Sequence, residues 1–277
     1  MKNKISMITI AKDEEKMIAD CLKSALWAQE MILLDTGSRD KTMKMAQNLG
    51  AKVVLAESRE RDFAAWHNQG QKAAKNDWIF YLDADERLTP ELQKEILAKI
   101  KKSDDYSAFA VPRRNFLLRR PMKFGGWYPD YQIRLFKKDK LIRWEGKLHE
   151  RPIFQGELGY LKNPMLHLTH RDLSSMVSKT NQWSVIEADL LFKAHHPPVT
   201  WWRILKIMML EFWQRGVKKQ GWRDGTVGWI EIIYQMFSRF ITYARLFEKQ
   251  GPAKGRFLWE KQNQKKRGFS NEKSGHL

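Results

Sequence analysis

The triplet Asp83-Ala84-Asp85 sets two carboxylates on alternate positions directly after the apolar run Trp78–Leu82. At a strand end, alternate side chains point to the same side, so both carboxylates face one crevice. Hard oxygen ligands of this kind suit Mg²⁺ or Mn²⁺, which bind through one or two carboxylates and complete their shells with substrate phosphates. The triplet is therefore either a handle for a metal-bound diphosphate or an acidic turn that caps the next helix. Asp35 is a third carboxylate at a strand end, following Met31–Leu34. Further along stand Asp130, Arg134, His149 and Glu150, residue types that accept protons, pair with phosphate or ligate metals. The single cysteine, Cys21, sits among Met17, Ile18, Leu22 and Ala25 at helical spacing and reads as a small buried hydrophobe. One cysteine allows neither an internal disulfide nor a cysteine-based metal site.

The elements that must position these groups follow from periodicity. Ile5–Ile10 is a short run rich in β-branched residues, and Met17, Ile18, Cys21, Leu22, Ala25 and Leu26 recur after it at helical spacing. Met31–Leu34 repeats the strand pattern, Asp40 opens a helix that stops at Gly50, and Val53–Leu55 is a third strand. A third helix over 63–74 and a fourth strand, Trp78–Leu82, complete the alternation. Thr89 as N-cap with Pro90 at the first helical position starts a helix to about Lys102. Ser107–Asn115 and Tyr131–Phe136 continue the sheet. Such βαβ alternation predicts a mainly parallel sheet with helices on both faces, and a ligand crevice beyond the carboxyl ends of its strands. Neither G-x-G-x-x-G nor G-x-x-x-x-G-K-[ST] is present, which argues against a dinucleotide-binding Rossmann enzyme and a P-loop ATPase.

Ile5–Glu15, Leu34–Thr42 and Trp78–Glu86, in this order and at these spacings, resemble the family 2 glycosyltransferases. The extended form Asp-Ala-Asp-Glu, with Gly126–Phe136 and Leu148-His149-Glu150, looks more specifically like the lipopolysaccharide-core β-1,4-glucosyltransferase branch. The resemblance implies an α/β fold: a GT-A type nucleotide-sugar-binding domain with a mixed, mainly parallel sheet. It implies a donor-binding half over 1–100, an acceptor-side half over 101–170, and transfer of a hexose, glucose from UDP-glucose, onto a lipid-linked acceptor such as inner-core heptose. Carried over residue by residue, Thr9, Ala11 and Glu14 line the nucleotide pocket and Asp35 accepts a hydrogen bond from uracil. Asn68 and Ala84 also fall to the donor, Asp83 to the ribose or metal, and Asp85 to the metal and diphosphate. His67 departs from the pattern, since many members have arginine there, and this weakens any phosphate role at that position.

An inverting transferase also needs a base opposite the leaving diphosphate, because the acceptor hydroxyl loses its proton as it attacks. Glu150 is the first candidate and Asp130 the second. The alternative for Glu150 is an ion pair with Arg151 or Arg134, and for Asp130 a turn after Pro129. His149 is either a third metal ligand or a hydrogen-bonded structural histidine. Arg134, on a strand, pairs with diphosphate or with Glu150 if it faces inward.

Charge divides the chain. Residues 1–100 hold 16 basic and 16 acidic side chains, so the whole excess of +18 lies beyond them. Residues 201–277 carry six of the twelve tryptophans and a net charge of +10. A basic amphipathic helical extension is expected over 171–260 and a disordered tail over 261–277. Helices with basic residues on one face and aromatics on the other lie in bilayer interfaces, where each basic residue contributes about 1 kcal/mol near an anionic leaflet. The alternative is that they pack against the catalytic domain. A basic, aromatic-rich chain is also the footprint of a nucleic-acid-binding protein, but four acidic groups around the crevice (Asp35, Asp83, Asp85 and Glu86) would repel phosphate unless a metal intervened. The expected partners are thus a nucleotide sugar, a lipid-linked, phosphorylated acceptor and an anionic membrane surface, with no nucleic acid. Charges interrupt every long apolar stretch, and Lys12–Glu15 cut short any secretory signal, so the expected location is cytoplasmic, peripheral to the inner face of the cytoplasmic membrane.

Overall fold

The computed structural model describes residues 4–58, 62–102, 105–146, 150–170 and 172–251. His149 and the tail 261–277 lie outside them. The chain divides after Arg171 into two compact units.

The first unit begins with β1 (Ile5–Ala11), α1 (Ile18–Lys23), β2 (Glu30–Asp35), α2 (Thr42–Asn48), β3 (Lys52–Leu55), α3 (Phe63–Ala73) and β4 (Trp78–Tyr81). It continues through β5 (Glu86–Arg87), α4 (Pro90–Lys101), β6 (Tyr106–Leu117), β7 (Arg120–Pro121) and β8 (Asp130–Lys137). It closes with β9 (Leu141–Glu145), β10 (Arg151–Phe154), β11 (Glu157–Tyr160) and β12 (Met165–His170). The sheet runs β3-β2-β1-β4-β8-β6-β12-β5, with β7 and β11 also pairing to β6, while β9 and β10 form a separate hairpin. β1 to β4 are parallel to one another, β8 is antiparallel to both neighbours, and β12 is again parallel to β6.

Alternation along the strands builds two cores. Met7, Leu33 and Phe80 join Ile18, Cys21 and Leu22 of α1 and Leu92 and Ile96 of α4 on one face. Ile8, Ile32, Ile79 and Tyr81 face α3 and Trp144 of β9 on the other. All four residues of β4 are buried, as a strand covered on both faces requires. α3 approaches so closely that a Cβ on Gly70 would stand 2.7 Å from Ile8 Cγ2, which leaves glycine the residue that fits. The sequence-predicted caps form: Thr89 Oγ1 accepts from the Leu92 N–H at 3.2 Å, with Pro90 in the first turn.

The second unit contains α5 (Leu173–Lys193), α6 (Trp201–Phe212), a π-helical turn (Trp213–Lys218), a 3₁₀ turn (Gly221–Asp224) and α7 (Gly225–Gln250). α7 packs against both α5 and α6. Much of their contact is polar: Thr180 bonds the Tyr234 hydroxyl, and Glu211 takes Arg215 and Arg239. The exposed surface of α6 and the π-helical turn carries large apolar side chains, with Trp202 60%, Met209 56% and Trp213 60% exposed, alongside Arg203 and Lys206. Among the described residues no helix is long and apolar enough to cross a membrane.

Candidate active site

Parallel register aligns the carboxyl ends of β1, β2 and β4, with Ala11 opposite Asp35 and Ile8 opposite Tyr81. The loops leaving β1 and β2 are laced together by side chains. Ser38 Oγ accepts from the Asp13 N–H (3.0 Å), Asp13 Oδ1 from the Arg39 N–H (2.7 Å), and Thr42 Oγ1 from the Glu14 N–H (2.8 Å). Asp13 takes the left-handed conformation at φ +54° that this tight exit demands, one that aspartate tolerates. The result is a rigid rim beside a cleft of about 270 Å³ lined by Ala11, Lys12, Glu14, His67, Asp83, Ala84, Asp85, Glu150 and His167. Larger hollows lie elsewhere, at Lys75–Trp78 by the amino end of β4, around Phe192 and Phe247 in the second unit, and beside Leu173 and Val177 of α5. The carboxyl-end cleft is the one that gathers carboxylates and imidazoles.

Asp35 is buried at the end of β2. Its Oδ2 accepts from the N–H groups of Gly37 (2.9 Å) and Ser38 (3.0 Å), while its Oδ1 has no partner among the described residues. An orphaned buried acceptor costs free energy unless a ligand donates to it. Thr9 does not line the cleft: it is wholly buried on β1, on the side of Cys21. The Cys21 thiol donates to the Asp83 carbonyl at 3.3 Å, and burial pushes it up to about 12, so it is inert.

The turn Asp83–Glu86 folds on itself. Glu86, fully buried, accepts the Asp83 N–H on Oε2 (3.0 Å) and the Arg134 guanidinium on Oε1 (2.7 Å), with Arg113 at 3.6 Å. Arg134 also grips the Asp83 carboxylate. This corrects the expected pairing of Arg134 with diphosphate or Glu150. The register Phe80 to Leu135 sets Arg134 beside the end of β4, where the nearest anions belong to the turn. Burial raises the Asp83 carboxyl, but Arg134 more than offsets it and leaves Asp83 below its ordinary range. Asp85 stands on the cleft side of the turn, its Oδ2 3.4 Å from His167 Nε2.

His67 is buried between Tyr81 and Trp144, and its Nδ1 donates to the Phe63 carbonyl at 2.8 Å. Burial pushes it down to about 4, so at neutral pH it is an uncharged wall and not a phosphate cation. Asn68, expected on the donor, instead clamps β9, donating to the Trp144 carbonyl (3.0 Å) and accepting its N–H (2.8 Å). Asp130 does not line the cleft either. Its Oδ2 takes Arg113 and Asn115, its Oδ1 takes Gln132 at 2.9 Å, and these donors hold it below its ordinary range despite partial burial. A carboxylate so occupied is a poor base. Glu150 is half-buried in the cleft wall. His167, Asn115 and Glu86 complete the cluster. Only Glu86 carried a signal in the sequence, as the last residue of Asp-Ala-Asp-Glu.

Among the described residues no group of three His, Cys, Asp or Glu side chains is placed to hold a metal. The set nevertheless fits Mg²⁺ or Mn²⁺, which take one or two protein groups and draw the rest of their shell from water and phosphate. Asp85, with an imidazole nitrogen beside it, supplies that minimum.

The family model described as Glycosyl transferase family 2 matches residues 6–154. Over 88% of its length the chain is 24% identical to the lipopolysaccharide core biosynthesis glycosyltransferase LpsC of Rhizobium meliloti (strain 1021), covering 92% of that protein. It is 29% identical to an uncharacterized glycosyltransferase of Rickettsia bellii (strain RML369-C), with 90% of this chain and 87% of that one aligned. Among solved structures, S. aureus TarS 1-349 is similar over 91% of this chain and 93% of that one, at 14% identity and a TM-score of 0.44. Glucosyl-3-phosphoglycerate synthase from Mycobacterium tuberculosis, solved with Mn²⁺, UDP and phosphoglyceric acid, is similar over 40% of this chain and 43% of that one. The identity there is 23% and the TM-score 0.36.

Proposed function

Because the chain belongs to glycosyl transferase family 2, we propose that it transfers glucose from UDP-glucose, with inversion, onto a lipid-linked acceptor such as inner-core heptose of lipopolysaccharide. The observation that carries this reading is the cleft itself: Asp83-Ala84-Asp85 opens onto it from a fully buried strand, and Asp35 presents an unpartnered buried oxygen at the neighbouring strand end. Asp35 Oδ1 suits the imide N–H of uracil, and Ala11 and Ala84 leave room for the nucleoside. Asp83, fixed by Arg134, faces the ribose, which leaves Asp85 as the carboxylate that holds Mg²⁺ or Mn²⁺. When bound, the cation neutralises charge that develops on the leaving diphosphate.

Glu150 is the base. The acceptor oxygen forms the new bond to the sugar's anomeric carbon as the bond from that carbon to the diphosphate oxygen breaks. The hydroxyl proton passes to the Glu150 carboxylate, and UDP leaves with the bonding pair. The second unit serves the acceptor. Trp202, Leu205, Met209 and Trp213 follow one another along the exposed face of α6 and its π-helical continuation, with Arg203, Lys206, Lys218 and Lys219 exposed on the same stretch. This is the pattern of a helix lying in a bilayer interface with anionic headgroups, and it supports a peripheral location on the cytoplasmic face of the membrane. A screen of UDP and other nucleotide sugars, read as nucleotide release with and without Mn²⁺, tests the reading. UDP-glucose should lead and chelation should abolish release; release that is indifferent to chelation would remove the metal assignment.

A further inference from the structure

β6 runs in the same sense as β4, because β8 between them is antiparallel to both. The hairpin that β6 forms with β7 therefore projects from the same edge of the sheet as the cleft. Leu118 and Arg119 make its turn, at φ +46° and +65°. Two-residue turns of this left-handed kind favour Asn-Gly, since larger side chains adopt the conformation at a cost. Turn stability therefore does not account for an arginine at the tip. Directly opposite residues of an antiparallel pair share a face, and Arg120 stands opposite Leu117. Alternation puts Leu117 on the face of Asn115, which pairs in register with the cleft residue His167. Arg120 is thus on the cleft face of the sheet, about 7 Å further along the strand than Asn115, and Arg114 is on the opposite face.

Residues 106–129 hold five basic side chains and no acidic one. Arg113 is taken by Asp130 and Glu86, but among the described residues no carboxylate pairs with Arg119 or Arg120, and both are exposed. From Phe116 to Phe124 no large hydrophobic side chain is exposed, so the tip lacks the apolar groups that hold a protein in a bilayer interface. Two adjacent guanidiniums suit a phosphate group, whose oxygens accept their hydrogen bonds in pairs.

We propose that Arg119 and Arg120 form an acceptor subsite for a phosphate monoester on the acceptor saccharide, beside the sugar that receives the transferred hexose. This rests on the glycosyl-transfer reading of the cleft and adds to it a group that the acceptor must carry.

The test is transfer from UDP-glucose by the full chain to inner-core oligosaccharide, deacylated to make it soluble, with its phosphate monoesters intact or removed by hydrofluoric acid. Wild type should prefer the phosphorylated form. Arg120→Ser and Arg119→Asn should each raise KM for that form about 10–100-fold, the worth of a hydrogen bond to a charged group, and so abolish the preference. Asparagine suits the left-handed turn better than arginine, so Arg119→Asn should also raise the urea midpoint, which a merely structural role would lower. Arg114→Ser removes an exposed cation from the other face and should leave KM as it is. Equal use of both forms by wild type, an equal loss in Arg114→Ser, or weaker UDP binding by the tip variants overturns the proposal. So does weaker sedimentation of those variants with anionic vesicles at unchanged KM, which would give the pair to lipid headgroups. If wild type transfers to neither oligosaccharide, the heptose reading itself fails, and titration with glucose 6-phosphate at saturating UDP and Mg²⁺ decides for the arginines. The Arg120 Nε–H resonance should move with glucose 6-phosphate and not with glucose; an unmoved resonance overturns the subsite.

Discussion

Replacing Arg134 with methionine leaves a buried carboxylate without its closest cation. Arg134 bonds Glu86 Oε1 at 2.7 Å and also grips Asp83. The Asp83 side chain is 43% exposed and can recover hydration, whereas that of Glu86 has no exposure at all. The cost therefore falls on Glu86. Truncating one partner of a buried ion pair costs about 3–5 kcal/mol. Arg113 remains 3.6 Å from Glu86, where a full charge pair at an effective dielectric of 20 attracts by about 4–5 kcal/mol gross, so the low end, about 3 kcal/mol, is expected. Burial raises the Glu86 carboxyl and Arg134 opposes that rise, so in R134M it climbs further. The folded state of R134M then binds a proton that the unfolded state releases at lower pH. The variant's stability is present below the unfolded carboxylate pKa of about 4.3 and is lost as pH rises through the folded value. Urea unfolding should show a deficit near pH 7 that narrows toward pH 5, and R134M/E86Q should regain about 1 kcal/mol or more at pH 7. A deficit under about 1 kcal/mol, a double variant no more stable than R134M, or a pH-independent deficit would refute the assignment of Glu86 as the buried anchor.

Wild-type stability should fall as pH drops from about 6.5 to about 4, because buried His67 binds its proton less tightly folded than unfolded; His67→Phe should flatten that part of the urea-derived pH profile. Glu150→Gln should keep UDP-glucose binding, measured calorimetrically, while transfer falls about 10²–10⁴-fold; unchanged turnover would move the proton elsewhere. Trp202→Ala and Trp213→Ala should each weaken sedimentation with vesicles containing anionic lipid about tenfold or more, from the apolar burial lost. Salt should release the wild type from those vesicles, and equal binding by variants and wild type would leave α6 a structural helix.

What the sequence reveals and what it hides divide along physical lines. β1, β2 and β4 are legible because each is a short apolar run bounded by polar turns, and the α4 cap because threonine and proline act locally. α5 falls inside the expected helical extension but has no outline of its own there, since its buried line is Met176 followed by the small or polar Thr180, Ser184 and Ala188 at four-residue spacing, which produce no apolar stripe. At the site, Asp35, Asp83 and Asp85 are visible as residues that end strands. Arg134 and Asn68 look available for phosphate or donor, yet antiparallel pairing of β8 to β4 brings Arg134 to Glu86, and the packing of α3 on β9 spends the Asn68 amide. His167 has no local signature. It joins the cleft because β12 threads between β6 and β5, and a pairing of Leu166 with both Arg114 and Arg87 is a long-range fact.

The charge arithmetic sharpens in the same way. Arg113 and Arg134 belong to the excess beyond residue 100, but Glu86, Asp83 and Asp130 neutralise them inside the site. Neither is free for an anionic acceptor. Arg114, Arg119 and Arg120 are exposed on β6, β7 and the turn between them, and in the second unit Arg215 and Arg239 are taken by Glu211. Among the described residues, the basic groups that sit beside an exposed apolar face are those flanking α6 and its π-helical continuation. Charge-reversing Lys206 and Lys218 should abolish the vesicle's preference for anionic lipid, at about 1 kcal/mol for each lysine removed, while leaving UDP-glucose hydrolysis in solution unchanged. Equal loss of hydrolysis would mean that these lysines support the fold and not the membrane.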